Sequence, residues 1–224
     1  MMPDEVGILT HRDVDGVCSA AIAKIAYPGA YVEFAEAYEL GSRLRALPAW
    51  DKVIILDLGF NGAQKTRVRN AFKEACKSHE IIYIDHHPLP LGITRRTLPC
   101  DTFRHKANVS CSELALAFFK PPASLQYIAA LGAIGDYQEH TRGMRRLIMK
   151  YGWRSTHLEE FLLEQAIEAS RKNHHFKRGV IQGLAQGLWP SEIPNLMEQA
   201  RFGAERERTI ENYVMGNLKK MAKI

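Results

Sequence analysis

Short apolar runs alternate with helical stretches along the first part of the chain, and this alternation constrains the fold more than any other feature. Val6-Gly7-Ile8-Leu9-Thr10 reads as a buried strand, Tyr31-Val32-Glu33-Phe34 as a second with a period of two, Lys52-Val53-Ile54-Ile55-Leu56 as a third and Ile81-Ile82-Tyr83-Ile84 as a fourth. The third run is almost continuously apolar, which suits a strand covered on both faces. Helical stretches fall between them, from about Val17 to Ala26 and from about Ala63 to Lys77. Strands and helices alternating at this spacing imply right-handed crossovers and a parallel sheet. The expected fold is therefore α/β: an open parallel β-sheet flanked by helices over residues 1–140, followed by a helical extension over residues 141–224.

Beyond Pro99 the pattern turns helical. Ser110 followed by Glu113 predicts a capping box for a helix running to Lys120, and Pro121-Pro122 breaks it before a helix from Ser124 to Ile134. Thr156 with Glu159 predicts a second box, with helices from there to the end interrupted near Gly187 and Pro190. The last helix is expected from about Ile193 to Ala222.

A composition of 46% hydrophobic and 25% charged residues excludes a disordered, collagenous or coiled-coil chain. No apolar run reaches the roughly 18–20 residues of a membrane helix, and no signal peptide is recognisable, so the expectation is a cytoplasmic protein without a membrane partner. Cys18, Cys76, Cys100 and Cys111 are widely spaced, which argues against a disulfide framework or a structural zinc site. The net charge of +5 is uneven: residues 1–140 carry 15 Lys/Arg against 16 Asp/Glu, and residues 141–224 carry 15 against 9. A basic rear part suits contact with a polyanion, although a solvated helical surface accounts for the same charge.

Chemistry concentrates where the apolar strands end. The first is followed by His11-Arg12-Asp13-Val14-Asp15-Gly16, the third by Asp57-Leu58-Gly59 and the fourth by Asp85-His86-His87. In an open parallel sheet these carboxyl ends share one edge, where such folds bind ligands. Asp136 closes the apolar stretch Ala129-Ala130-Leu131-Gly132-Ala133-Ile134-Gly135. Each piece alone is ordinary turn or cap chemistry. Together, carboxylates gathered on one edge repel one another unless a cation sits between them. Imidazole and carboxylate donors without thiolate suit a pair of Mn²⁺ ions, with Mg²⁺ as a possible substitute.

His11-x-Asp13-x-Asp15-Gly16, Asp57, Asp85-His86-His87 and Gly135-Asp136 together resemble the motifs of the DHH phosphoesterase superfamily. That group includes RecJ-type single-strand exonucleases, oligoribonucleases, cyclic-dinucleotide phosphodiesterases and family II pyrophosphatases. The first motif is most similar to that of the archaeal RecJ-like branch. The resemblance implies that His11, Asp13 and Asp15 supply metal ligands, one of them acting from behind the others. By the same resemblance Asp57 bridges both ions, and His86 and Asp136 complete the ligand set. Asp85 then orients the site, and His87 contacts the scissile phosphate. Arg12 is an added phosphate contact.

The resemblance also implies a second, glycine-rich substrate-binding domain, and no such motif occurs before Ile224. The expectations are thus a fragment, a split protein with a separate partner, or a DHH-only protein. The leading functional reading is a Mn²⁺-dependent phosphodiesterase or exonuclease acting on single-stranded DNA or short oligonucleotides. Arg142, Arg145, Arg146, Lys150 and Arg154 are its expected nucleic-acid contacts. Tyr151 and Trp153 can stack on bases, but packing within the helical core is the preferred reading for Trp153. The alternatives are a scaffold among replication or repair proteins and a phosphohydrolase for pApA, cyclic dinucleotides or pyrophosphate. The intact ligand set weighs against the scaffold.

Overall fold

The computed structural model describes residues 5–221. The four expected strands form as β1 (Val6–Thr10), β2 (Tyr31–Phe34), β3 (Lys52–Leu56) and β4 (Glu80–Asp85). A fifth, β5 (Thr102–His105), forms in a stretch that the sequence reads as already helical. This edge strand is four residues long and mixes polar with apolar side chains, so it lacks the apolar run that marks the others. All neighbours pair in parallel in the order β2-β1-β3-β4-β5. The order reverses between β1 and β3, and this reversal opens a crevice at the carboxyl ends of the strands.

Side-chain alternation divides the interior. Ile8, Ile54, Leu56, Ile82 and Ile84 face one apolar cluster, and Leu9, Val53, Ile55, Ile81 and Tyr83 face the other. The second cluster is closed by α2 (Leu40–Arg45) and α3 (Lys65–Ala75) through Leu40, Leu44, Val68 and Phe72. The first is built around α1 (Val14–Ala26), whose small residues Ala20, Ala21 and Ala23 let neighbours approach on every side.

Those neighbours include α4 (Cys111–Phe119), α5 (Tyr127–Gly135) and α8 (His174–Ala185). The helices α6 (Arg142–Tyr151) and α7 (Trp153–Ser170) follow α5, and α9 (Leu196–Met221) packs along α7. Leu163, Ile167, Val180 and Leu184 of the later helices join Val17 and Ile22 in one apolar cluster. Among the described residues no helix is long and apolar enough to cross a membrane.

Local chemistry explains where elements begin. Helix α1 starts at Val14, earlier than the periodicity suggests, because the Asp13 carboxylate accepts from the Gly16 amide at 2.9 Å. Ser110 caps α4 by accepting from the Glu113 amide at 3.1 Å. The Glu113 carboxylate takes the Thr141 hydroxyl at 2.9 Å instead of turning back, so only half of the expected box forms.

The Thr156–Glu159 box does not form. Helix α7 has already begun at Trp153, the Thr156 hydroxyl donates to the Gly152 carbonyl, and Glu159 accepts from the amide and hydroxyl of Ser191. The helix expected from Ser124 is a 3-10 turn, Ala123–Leu125, followed by α5. The expected end of the last helix at Ala222 lies outside the described residues. Trp153 is not a core residue: it is 57% exposed and its ring lies tilted against His157. The inward aromatic is Tyr151, packed against Tyr127 and Trp189.

Candidate metal centre

Three strand ends and one helix end deliver the site. The loop from β1 carries His11 and Asp13, and Asp15 lies in the first turn of α1. Asp57 follows β3 directly, Asp85 ends β4 with His86 and His87 next, and Asp136 is the C-cap of α5. Asp57 is held at φ 56, and Tyr137, beside Asp136, at φ 55. Left-handed backbone at a side-chain-bearing residue costs on the order of 1–3 kcal/mol and persists where the surroundings enforce it. Here the Asp57 amide donates to the Ile84 carbonyl at 3.1 Å, and Leu58, buried in the second apolar cluster, locks the turn. Gly59 is required for the approach of the next motif, since a Cβ there would lie 2.9 Å from the His87 Cβ.

The side chains converge. Donor atoms of His11, Asp13 and Asp57 lie within 4.8 Å of one another, as do those of Asp15, His86 and Asp136. These two disjoint triplets contain all six residues expected to bind metal. A third group within the same span, Asp57, His86 and His87, joins them. The Nε2 of His86 stands 3.2 Å from Asp57 Oδ1 and its Nδ1 is 3.5 Å from Asp136 Oδ2. Yet His86 Nε2, both Asp57 oxygens and Asp136 Oδ2 are buried without a hydrogen-bond partner among the described residues. Buried polar atoms left this way are rare and call for an explanation. Donors this close, with no hydrogen bond between them, fit the ligand set of a cation.

The electrostatics agree. Burial, reinforced by Asp13, Asp15 and Asp85, drives Asp57 well above the usual carboxylate range. Burial likewise raises Asp136 to about 6 and Asp15 to about 7, the latter against the amides that bind it. His86 is lowered by burial, which favours the neutral imidazole that ligates metal. The donors therefore fit hard divalent cations: a positive charge relieves the mutual repulsion of the acids, and the neutral imidazole of His86 is ready to coordinate.

The remaining site residues have separate partners. Both oxygens of Asp15 are claimed by the first amides of α4, Cys111 at 2.6 Å and Ser112 at 2.9 Å. Gly132 makes room for this contact, because a Cβ there would lie 2.8 Å from Asp15 Oδ1. Buried Asp85 accepts from the Tyr83 hydroxyl and from His87 Nδ1, each at 2.9 Å. The Asp85 hydrogen bond raises the His87 pKa against the effect of burial, while the side chain stays 42% exposed. At His11 burial pulls the pKa down, but the 2.6 Å contact with Asp13 and the nearby Glu36 outweigh it and lift it to about 9.

Several participants escape a motif reading. Glu36 pairs with His11 Nε2 at 3.3 Å and with Arg12 Nε at 2.7 Å. His105 contacts the His87 carbonyl through Nε2 at 2.7 Å. Lys177 donates to the carbonyls of Arg12 and Ile167. Glu36 and His105 were within reach of the strand-end argument, since both stand at the carboxyl ends of strands. Of the expected nucleic-acid contacts, Arg12 lines the cavity beside His11 and Asp13, whereas Arg142, Arg145, Arg146, Lys150 and Arg154 do not. These five lie on α6 and the start of α7 as exposed residues. Lys150 is engaged locally, with the Ala123 carbonyl and over the Tyr151 ring.

No match is found among curated proteins. Among solved structures the chain is similar to RecJ in complex with Mn²⁺ from Thermus thermophilus, at 17% identity and a TM-score of 0.58, over 96% of this chain and 37% of that one. It is also similar to the DHH domain of a member of a family of ribosomal proteins, at 15% identity and a TM-score of 0.56, over 98% of this chain and 58% of that one. The chain thus spans less than two thirds of the length of either, and at these identities the likeness is one of fold. The family model described as "DHH family, N-terminal domain" matches residues 5–139, the stretch that holds every strand of the sheet and all of the converging donors, and so the chain belongs to the DHH family.

Proposed function

We propose that this chain is a Mn²⁺-dependent phosphodiesterase that hydrolyses single-stranded DNA or short oligonucleotides at a two-cation centre, with Mg²⁺ as a possible substitute. Membership of the DHH family suggests a metal-dependent phosphoesterase. The observation that carries the finer reading is the pair of disjoint triplets linked by Asp57, whose two buried oxygens have no other partner. In this reading His11, Asp13 and Asp57 would hold one ion, and His86 and Asp136, with Asp57 in reach of His86, would hold the other. Asp15, already bound by two amides, acts as a ligand or as the anchor behind them. Bound divalent ions supply charge stabilisation for a phosphoryl group and a nucleophile competent at neutral pH.

The chain's own residues do the remaining work. Asp85, buried and fixed by Tyr83, keeps the proton on His87 Nδ1 and turns the ring outward. The Asp85 hydrogen bond, which raises the His87 pKa, favours the protonated ring, and that form donates to the non-bridging oxygens as charge builds there. Arg12, held at Nε by Glu36, keeps its terminal guanidinium nitrogens for phosphate. The exposed arginines of α6 are assigned to more distant parts of the polymer. A scaffold role is the weaker reading, because a scaffold has no need of buried, mutually repelling carboxylates.

The test is hydrolysis of a labelled single-stranded oligonucleotide and of bis(p-nitrophenyl) phosphate with and without Mn²⁺. Asp136→Asn is expected to lower the Mn²⁺-stimulated rate of both by about 100-fold or more, a typical loss when a charge-stabilising group is removed. An unchanged rate with Asp136→Asn refutes the assignment.

A further inference from the structure

A cavity of about 620 Å³ opens beside His11 and Asp13, between the loop after β1, the end of α7 and the flank of α9. Its size falls within the roughly 300–1,000 Å³ of small-ligand sites. Arg171, Lys172 and Arg206 line it, and none of the three has a carboxylate within ion-pair distance among the described residues, unlike Arg12, Arg43 and Arg201. Lys177 lines it too, 2% exposed, with two of its three N–H groups given to the carbonyls of Arg12 and Ile167. Arg171 is held at φ 46, a left-handed conformation that a side-chain-bearing residue keeps only under constraint. Glu168 is the acid facing these cations that has no ion-pair partner among the described residues; Glu36 is engaged with Arg12, and Asp13 with His11.

A second, smaller depression of about 230 Å³ shares Arg12, Glu36 and Lys172 with the first. It continues to Tyr38, 61% exposed, and to His174. A path therefore leads from the metal donors across unpaired cations to an exposed aromatic ring. Cations that track a backbone beside a ring on which a base can stack are the elements of single-strand binding.

We propose that this path seats the strand adjoining the scissile phosphate: Arg171, Lys172 and Arg206 take backbone phosphates and Tyr38 stacks a base. The proposal deepens the phosphodiesterase reading and rests on it for the position of the scissile group. Binding is measured by anisotropy of a fluorescein-labelled DNA strand of about 12 nucleotides, within the site sizes of single-strand binders, in EDTA, where no turnover is needed, over a series of salt concentrations. The double charge reversal Arg171→Glu with Arg206→Glu is expected to weaken binding at least tenfold. It should also flatten the slope of log Kd against log salt by about 1.4, since each lost phosphate contact on a single strand removes about 0.7.

Tyr38→Ala is expected to weaken binding about fivefold or more, the lower end for base–aromatic stacking. The double replacement by lysine, which keeps the charge, should retain the slope; if the reversal variant does not fold, the double replacement by glutamine reads the same loss. Unchanged affinity and slope in the Arg171/Arg206 variants overturn the proposal, as does a mononucleotide binding as tightly as the longer strand. A chain that binds as expected but hydrolyses no phosphodiester leaves the seat standing and refutes the phosphodiesterase reading alone.

Discussion

Asp57→Asn isolates the cost of gathering these carboxylates. Asp57 is 2% exposed, neither oxygen has a hydrogen-bond partner, and Asp13, Asp15 and Asp85 crowd it. Without a cation, the folded chain must either bury an uncompensated charge or take up a proton. Asparagine removes that choice at the same volume and tolerates the backbone at φ 56. Relieving an uncompensated buried charge is worth about 1–4 kcal/mol. A domain of this length gains roughly 2–4 °C in melting temperature per kcal/mol. The metal-free variant is therefore expected to melt about 2–16 °C above the unaltered chain at pH 8.

The pH dependence follows from the direction of the shifts. An acid whose folded pKa lies above its unfolded value binds more protons when folded, so stability is lost as pH rises between the two values. Asp136 rises from 3.8 to about 6, Asp15 from 3.8 to about 7, and Asp57 moves in the same direction. The metal-free chain is expected to weaken from about pH 4 to about pH 7, and the advantage of Asp57→Asn to widen across that interval. Mn²⁺ reverses the order. The unaltered chain gains about 2.7 kcal/mol when the ion stands at a hundredfold its Kd, and the variant much less. Calorimetry at pH 4.5 and pH 8, in EDTA and in excess Mn²⁺, reads all four cases. A variant that melts below the unaltered chain in EDTA at pH 8 refutes the argument from repulsion.

Tyr83→Phe removes the donor to Asp85 Oδ2 and the Leu58 carbonyl, both buried, and is expected to cost about 1–3 kcal/mol in urea denaturation; a loss under about 0.5 kcal/mol shows that the hydroxyl is not needed there. Lys177→Met keeps the aliphatic stem but leaves the Arg12 and Ile167 carbonyls without their donor, at about 2–5 kcal/mol. Because Arg12 lies between His11 and Asp13, Mn²⁺ affinity by titration calorimetry should fall as well, and unchanged stability and affinity refute the coupling.

The sequence marked the parts of the fold whose physics is local. β1, β3 and β4 are apolar runs that any two-sided sheet requires, and their ends carried the converging donors in plain view. The same rule, applied to every strand, extends further than the motifs do. β2 ends on Phe34-Ala35-Glu36, and Glu36 meets His11 and Arg12; β5 ends on His105, which supports the His87 carbonyl. Glu36 carries no motif signal, because one acid after a strand is ordinary turn chemistry. His105 carries none either, because β5 has no apolar run to announce it. The Thr156–Glu159 pattern misled for the opposite reason: a capping box is a local signature, but the helix start was set by Gly152 at φ 97, and Glu159 found a better donor in Ser191.

What the sequence could not show is how the later helices reach the candidate metal centre. Lys177 is separated by 165 residues from the carbonyl it holds, and no spacing rule links them. The connection exists because α1 is buried on every side: its alanines admit α8 closely enough for a lysine amine to reach back over the β1 loop. A buried ammonium is tolerated only when its hydrogen bonds are met, and here burial lowers the Lys177 pKa to about 8. A cation kept at that cost, one residue from His11 and Asp13, argues that the loop needs external support. The loop supplies His11 and Asp13 from irregular backbone, whereas Asp57 and His86 come directly off strands. Positional precision at the first motif therefore depends on packing between α1 and α8, a property of the assembled core rather than of the motif.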